Sequence, residues 1–281
     1  MKRRIDSHQH YWRADRGDYH WMSPAVQPLC RDFLPADLAP HLRKHRIDQT
    51  IVVQAAQTVA ETDYLLALVE NDPATAGVVG WLDLGRDDFP AQFERYRRHP
   101  KFIGLRPMLQ DLPDDRWILR EHIQAHLGLV AEADFPFEFL TFTRHLPYVL
   151  TTLERHPRLR AAIDHLSKPP IKSGELQPWK DLLGRIAREH PSVKCKISGF
   201  ITEADLASWK ADDLRPYIEH AWAVFGAKRV MFGSDWPVCT LAGTYDQVIG
   251  LVEEILGPKL DTAASAALFG GNAITFYKLP A

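Results

Sequence analysis

RIDSHQHYW, residues 4–12, places two histidines one residue apart in a short run that opens like a β-strand. In an extended chain alternate side chains share a face, so Asp6, His8 and His10 are expected to point the same way. A single His-x-His pair occurs at metal sites, in substrate pockets and at hydrogen-bonded strand ends alike. The rest of the chain decides which setting applies here.

Seven further apolar or β-branched runs follow: TIVVQAA (50–56), AGVVGWLDL (76–84), KFIGLRPML (101–109), PFEFLTF (136–142), RAAIDHL (160–166), VKCKISGF (193–200) and RVMFGSDW (229–236). Between most of them the apolar residues repeat with helical spacing. Leu34, Leu38 and Leu42 lie four apart and run into the basic stretch RKHR, which suits a helix C-terminus. His-Pro pairs at 99–100, 156–157 and 190–191 close three such segments, because the residue before proline disfavours helical geometry. Alternating strands and helices imply a parallel sheet with crossover helices. Eight such units predict the α/β class and a single (β/α)8 TIM barrel, with one domain spanning residues 1–281. Residues 11–33 then form a long loop on the face where barrel enzymes build their sites.

Composition narrows the partners. Thirty-four Lys and Arg against 36 Asp and Glu give no excess of positive charge for a nucleic acid or a membrane surface, so a small molecule is expected. The three cysteines are widely spaced, which speaks against a disulfide framework or a zinc finger. Strand-like sequence begins within four residues of the first methionine, and no apolar run approaches membrane-spanning length, so a cytoplasmic protein is expected. Oligomeric state leaves no mark in the sequence.

The chemically capable residues gather at the ends of the expected strands. His8 and His10 end the first, Gln54 the second and His165 the sixth, Arg106 sits in the fourth, and Asp235 ends the eighth. Alternation puts Ile163 and His165 on one face, and Met231, Gly233 and Asp235 on another, with Gly233 leaving space inside the barrel below Asp235. Each residue also has a structural explanation. Arg106 suits a wall ion pair, Asp235 and Asp83 suit helix caps, and Gln54 suits backbone satisfaction as well as a ligand contact. Lys196 fits a structural charge or one at the pocket rim. The coincidence over several strands favours a site.

IDSHQHYW, IGLRPM, IDHLSKPP, KISGF, MFGSDWPV and LFGGNAITFY together resemble the amidohydrolase superfamily, and within it the sugar-lactonase branch. The resemblance implies that His8, His10, His165 and Asp235 converge in the barrel mouth as candidate ligands of one divalent ion, zinc. Two features of the binuclear members are missing. Arg106 stands where those members carry a bridging lysine or glutamate, and PFEFLTF lacks the fifth-strand histidine, although His145 follows three residues later. A permanent guanidinium repels a second cation, so no binuclear centre is expected, and the resemblance implies that the ion is not strictly required.

The implied activity is hydrolysis of a sugar lactone, L-fuconolactone first, by an activated water. Asp235 is expected to act as general base and then acid. Arg106 and some of His8, His10 and His165 would polarise the carbonyl. Gln54, Tyr11, Trp12, His20, Trp21 and Trp236 are expected to contact the sugar. A zinc-dependent decarboxylase would use the same constellation, with Arg106 on a substrate carboxylate. A non-catalytic barrel that binds a sugar acid is the remaining alternative.

Overall fold

The computed structural model describes residues 3–280. All eight expected runs form strands: β1 (Ile5–Gln9), β2 (Gln49–Val53), β3 (Thr75–Gly80), β4 (Phe102–Leu105), β5 (Phe137–Phe139), β6 (Ala161–Ile163), β7 (Lys194–Ile197) and β8 (Val230–Phe232). They pair in parallel and in sequence order within one sheet. The last strand meets the first through a bridge between Gln9 and Trp236, where the His10 amide donates to the Trp236 carbonyl at 2.7 Å. This is the expected TIM barrel.

Eight helices alternate with the strands: α1 (Pro35–His45), α2 (Val59–Leu68), α3 (Phe89–Tyr96), α4 (Glu121–Glu132), α5 (Leu146–Arg155), α6 (Trp179–Glu189), α7 (Ala211–Phe225) and α8 (Tyr245–Leu256). Local chemistry sets their limits. The Asp37 carboxylate accepts the Leu34 amide at the start of α1, Pro35 takes the first position, and Arg43, Lys44 and His45 fill the last turn. The Thr58 hydroxyl accepts the Glu61 amide and caps α2. Helices α5 and α6 end directly before the His-Pro pairs at 156 and 190, and α3 ends at Tyr96, just before the pair at 99. No helix among the described residues is long and apolar enough to cross a membrane.

After α8 come α9 (Thr262–Ala266) and α10 (Asn272–Phe276). Ala273, Phe276, Tyr277 and Leu279 pack against the inward-facing Ile5, Ile51, Val53, Val79, Ala162 and Met231. The C-terminal segment thereby closes the barrel beneath the strand N-termini, and the opposite end is left for chemistry. There the loop 11–33 is tied at its base by paired backbone bonds between Trp12 and Phe33.

Two expectations of strand alternation fail. In β1 the register slips between Asp6 and Gln9, where three steps of β1 oppose two of β2. This bulge reverses the alternation. Asp6 faces the helix layer, accepting the Tyr245 hydroxyl at 3.1 Å and the Ser234 amide at 2.9 Å. His8 and His10 face the barrel interior without it. In β6 the residue packed inward is Ala162, while Ile163 joins the outer hydrophobic layer. Ile163 and His165 therefore do not share a face, because the chain leaves extended geometry immediately after Ile163.

Candidate active site

Behind β6 the backbone makes an unusual turn. His165, Leu166, Ser167 and Lys168 all have positive φ, between 45° and 59°, and none is glycine. Left-handed geometry costs such residues roughly 1–2 kcal/mol each, so the turn persists only because its surroundings fix it. Leu166 is buried in the core and its carbonyl accepts the Trp179 indole N–H at 2.6 Å. The Ser167 hydroxyl bonds that of Thr141 at 2.7 Å, and the Lys168 amide donates to the His165 carbonyl at 2.7 Å. The turn carries His165 into the barrel mouth. Asp164, which precedes it, points to the interior below.

Asp235 lies three residues beyond β8, also at positive φ (56°), a conformation that Asp and Asn tolerate better than other side chains. Its amide donates to the His8 carbonyl at 2.8 Å. Gly233 sits just before it, and a Cβ there would lie 2.6 Å from the His8 Cβ. The space foreseen at Gly233 is thus taken up by His8.

Three imidazoles converge on one carboxylate oxygen. Asp235 Oδ1 is 3.1 Å from His10 Nε2, 3.6 Å from His8 Nε2 and 3.8 Å from His165 Nε2. His10 Nδ1 lies 2.7 Å from the Val53 carbonyl, which can only accept, so Nδ1 carries a proton. Neutral His10 then presents a lone pair to Asp235, and a shared proton or a metal ion must lie between them. Burial would raise the Asp235 carboxyl, but His165 and His10 hold it below its ordinary value. Burial brings His165 down to about 4, so it is neutral at neutral pH. Asp235 Oδ2 makes no hydrogen bond among the described residues.

Below this cluster lies a second, fully buried one. Lys196 Nζ is 2.6 Å from Glu138 Oε2, 3.2 Å from Asp164 Oδ1 and 3.2 Å from His8 Nδ1. Tyr277 donates to the other Glu138 oxygen. Lys196 therefore lies in the barrel interior and is not a rim charge. Burial, followed by Lys196 and the neighbouring imidazoles, holds His8 far below its ordinary value. His8 is held between two cations, with Lys196 Nζ 3.2 Å from its Nδ1 and Arg106 Nη1 3.4 Å from its Nε2. Arg106, the first residue after β4, donates through Nη1 to Asp164 at 3.3 Å and through Nη2 to the Gln54 carbonyl.

A cavity of about 290 Å3 opens above these groups. That is near the lower end of small-molecule sites, about 300–1,000 Å3. His10, Arg106, His165, Lys168 and Asp235 supply its polar floor, and Trp12, Trp21, Leu29, Leu140 and Leu241 form apolar walls. A larger groove of about 860 Å3 beside Arg4 and Phe269 lies at the other end of the barrel, away from this chemistry.

The site gathers His8, His10, His165, Arg106 and Asp235 as expected from their strand ends. Trp12 and Trp21 also reach the cavity. Others do not. Gln54 is fully buried and its amide donates to the Arg106 carbonyl at 2.8 Å, so it braces Arg106 from behind. Tyr11 and Trp236 are buried against each other, rings 6.3 Å apart, away from the cavity wall. His20 lines a neighbouring cavity of about 380 Å3. His145 pairs with Asp115 at 2.9 Å, outside the site. The residues missed from sequence are Asp164, Glu138 and Lys168. Glu138 left one signal, a lone charge inside the apolar run PFEFLTF.

The donor set suits one divalent ion. His8, His10 and Asp235 offer ligand atoms within 4.8 Å of one another, as do His8, Asp164 and His165. Around a tetrahedral zinc with bonds of about 2.0–2.1 Å, ligand atoms stand roughly 3.3 Å apart, close to the spacings around Asp235 Oδ1.

A family model described as amidohydrolase matches residues 5–279. An L-fucono-1,5-lactonase of Burkholderia ambifaria is 41% identical, covering 99% of this chain and 97% of its own. An L-fucono-1,5-lactonase of Burkholderia multivorans is 37% identical, covering 99% and 96%. The crystal structure of an amidohydrolase from Burkholderia multivorans with bound zinc superposes with a TM-score of 0.94 at 35% identity, covering 99% of this chain and all of that one.

Proposed function

This chain belongs to the amidohydrolase family, and from that footing we propose that it is a sugar lactonase, opening L-fucono-1,5-lactone or a close aldonolactone to the aldonic acid. The observation that carries the chemistry is the convergence of three imidazoles on one oxygen of Asp235, while its other oxygen has no donor among the described residues.

Lactone hydrolysis needs a water made nucleophilic, a stabilised carbonyl oxygen and a proton for the departing ring oxygen. Asp235 Oδ2 takes the proton of the attacking water and returns it to the ring oxygen. The carbonyl oxygen lies towards Arg106 and the imidazole edges, whose positive charge and N–H dipoles are fixed before reaction. Arg106 is held for this by Asp164 and by Gln54. The apolar walls keep bulk water from the cavity and strengthen these interactions.

His8, His10 and Asp235, whose ligand atoms lie within 4.8 Å of one another, would hold a single ion, with His165 beside them. When bound, the ion would act as a Lewis acid on the lactone carbonyl. The Arg106 guanidinium, 3.4 Å from His8 Nε2, would repel a second ion, which supports a single one.

A pH-indicator assay over aldonolactones, with and without chelator, tests this function. L-fucono-1,5-lactone is expected to turn over fastest, and turnover is expected to persist after chelation, because Asp235 and Arg106 supply the base and the polarising charge without an ion. Carbon dioxide release that chelation abolishes would instead identify a decarboxylase. Saturable binding of a sugar acid without turnover of any lactone would sink the hydrolase altogether.

Gly199 offers a second check. It has φ of +61°, and a Cβ there would lie 2.4 Å from His165 Nδ1. Gly199→Ala is expected to push His165 out of register and to lower kcat/KM by roughly a hundredfold. Unchanged kinetics would show that the position of His165 does not matter to the reaction.

A further inference from the structure

The left-handed turn after β6 positions a second side chain as well as His165. In so tight a turn residues three apart lie on one side, so His165 and Lys168 both face the cavity while Leu166 enters the core. Lys168 is lightly held. Its Nζ stands 3.6 Å from Glu203 Oε1 and 5.3 Å from the centre of the Phe142 ring, and it makes no hydrogen bond among the described residues. Arg106, the other cation of the cavity, is committed through Nη1 to Asp164 and through Nη2 to the Gln54 carbonyl, and Nε, its one nitrogen without a partner among the described residues, is buried.

The reaction changes the charge of its ligand. A neutral lactone and water become an aldonate and a released proton: the water oxygen bonds the carbonyl carbon, the ring carbon–oxygen bond breaks, and the ring oxygen leaves as a hydroxyl. The new carboxylate forms beside the Asp235 carboxylate, which repels it. It therefore needs a cation with donors to spare.

We propose that Lys168 is that cation, taking the product carboxylate as it forms; this rests on the lactonase function proposed above. Glu203 holds the ammonium in reserve and gives it up when the carboxylate arrives. A charge-assisted bond of this kind is short and directional.

The test compares two inhibitors of L-fucono-1,5-lactone hydrolysis: L-fuconate, which carries the carboxylate, and L-fucitol, which has a neutral hydroxymethyl in its place. Lys168→Met is expected to raise the inhibition constant of L-fuconate roughly 10- to 100-fold and to leave that of L-fucitol unchanged. Lys168→Arg should recover part of the loss. Glu203→Gln, which frees the ammonium, should tighten L-fuconate several-fold, and it carries the test should the Lys168 variants fold poorly. Equal weakening of both inhibitors, an unchanged L-fuconate constant, or no inhibition of the wild type by L-fuconate overturns the role of Lys168. If the wild type opens no sugar lactone, the lactonase function itself falls and takes this ligand with it.

Discussion

Asp235→Asn is expected to cut lactone turnover by about a thousandfold or more, within the range of roughly 10²–10⁴ that a positioned general base supplies. The substitution isolates the chemistry well. Asparagine tolerates the left-handed backbone of this position, so the φ of 56° is not an obstacle. The backbone bond to the His8 carbonyl is unaffected, and circular dichroism should report a melting temperature near that of the wild type. The pH profile of the wild type carries a linked expectation. Although burial opposes ionisation, His165 and His10 hold Asp235 below its ordinary value, about 4. Activity that needs the ionised form should persist as pH falls through 5 and be lost only below that value. Near-normal turnover in Asp235→Asn would remove Asp235 from the role of base. An acid limb near pH 6 would assign the essential ionisation to another group.

The barrel was legible because parallel strands buried on both faces read as short apolar runs, and these recurred eight times between helical segments. The site was legible where its residues stand just beyond strand ends, as His10, Arg106 and Asp235 do. What escaped depends on departures from ideal geometry. The bulge between Asp6 and Gln9 leaves no trace in the residue pattern, yet it sends Asp6 to the helix layer and His8 to the interior. The left-handed turn at 165–168 contains no glycine to announce it, so nothing in the residue pattern turns Lys168 towards the cavity. Asp164 was overshadowed by the histidine beside it. Tyr11 and Trp236 offered faces suited to a sugar, but aromatic side chains near a barrel mouth serve packing as readily, and these two pack on each other.

Lys196→Met is expected to destabilise the fold by about 3–5 kcal/mol, the usual cost of removing one partner from a buried ion pair. Melting should fall by roughly 10 °C on the scale of a chain this size. The reason lies in what remains. Lys196 hydrogen-bonds Glu138 and His8 Nδ1 and forms an ion pair with Asp164, and all four residues are fully buried. Without the ammonium, Asp164 keeps Arg106, but Glu138 keeps only the Tyr277 hydroxyl. Burial and the nearby Asp164 already raise the Glu138 carboxyl, and Lys196 is the charge that opposes them. In the variant Glu138 must fold in its protonated form. A carboxyl whose folded value is raised favours folding below its unfolded value, and that advantage is lost as pH rises towards the folded one. The melting deficit of Lys196→Met should therefore be small near pH 5 and grow towards pH 8. Adding Glu138→Gln removes the stranded charge while leaving an oxygen for Tyr277, so the double variant should melt above Lys196→Met alone, a non-additive pair of the kind expected for groups in contact. A deficit independent of pH, or a double variant less stable than the single one, would mean that Lys196 acts through packing of its aliphatic stem and that the ion network beneath His8 contributes little to the barrel.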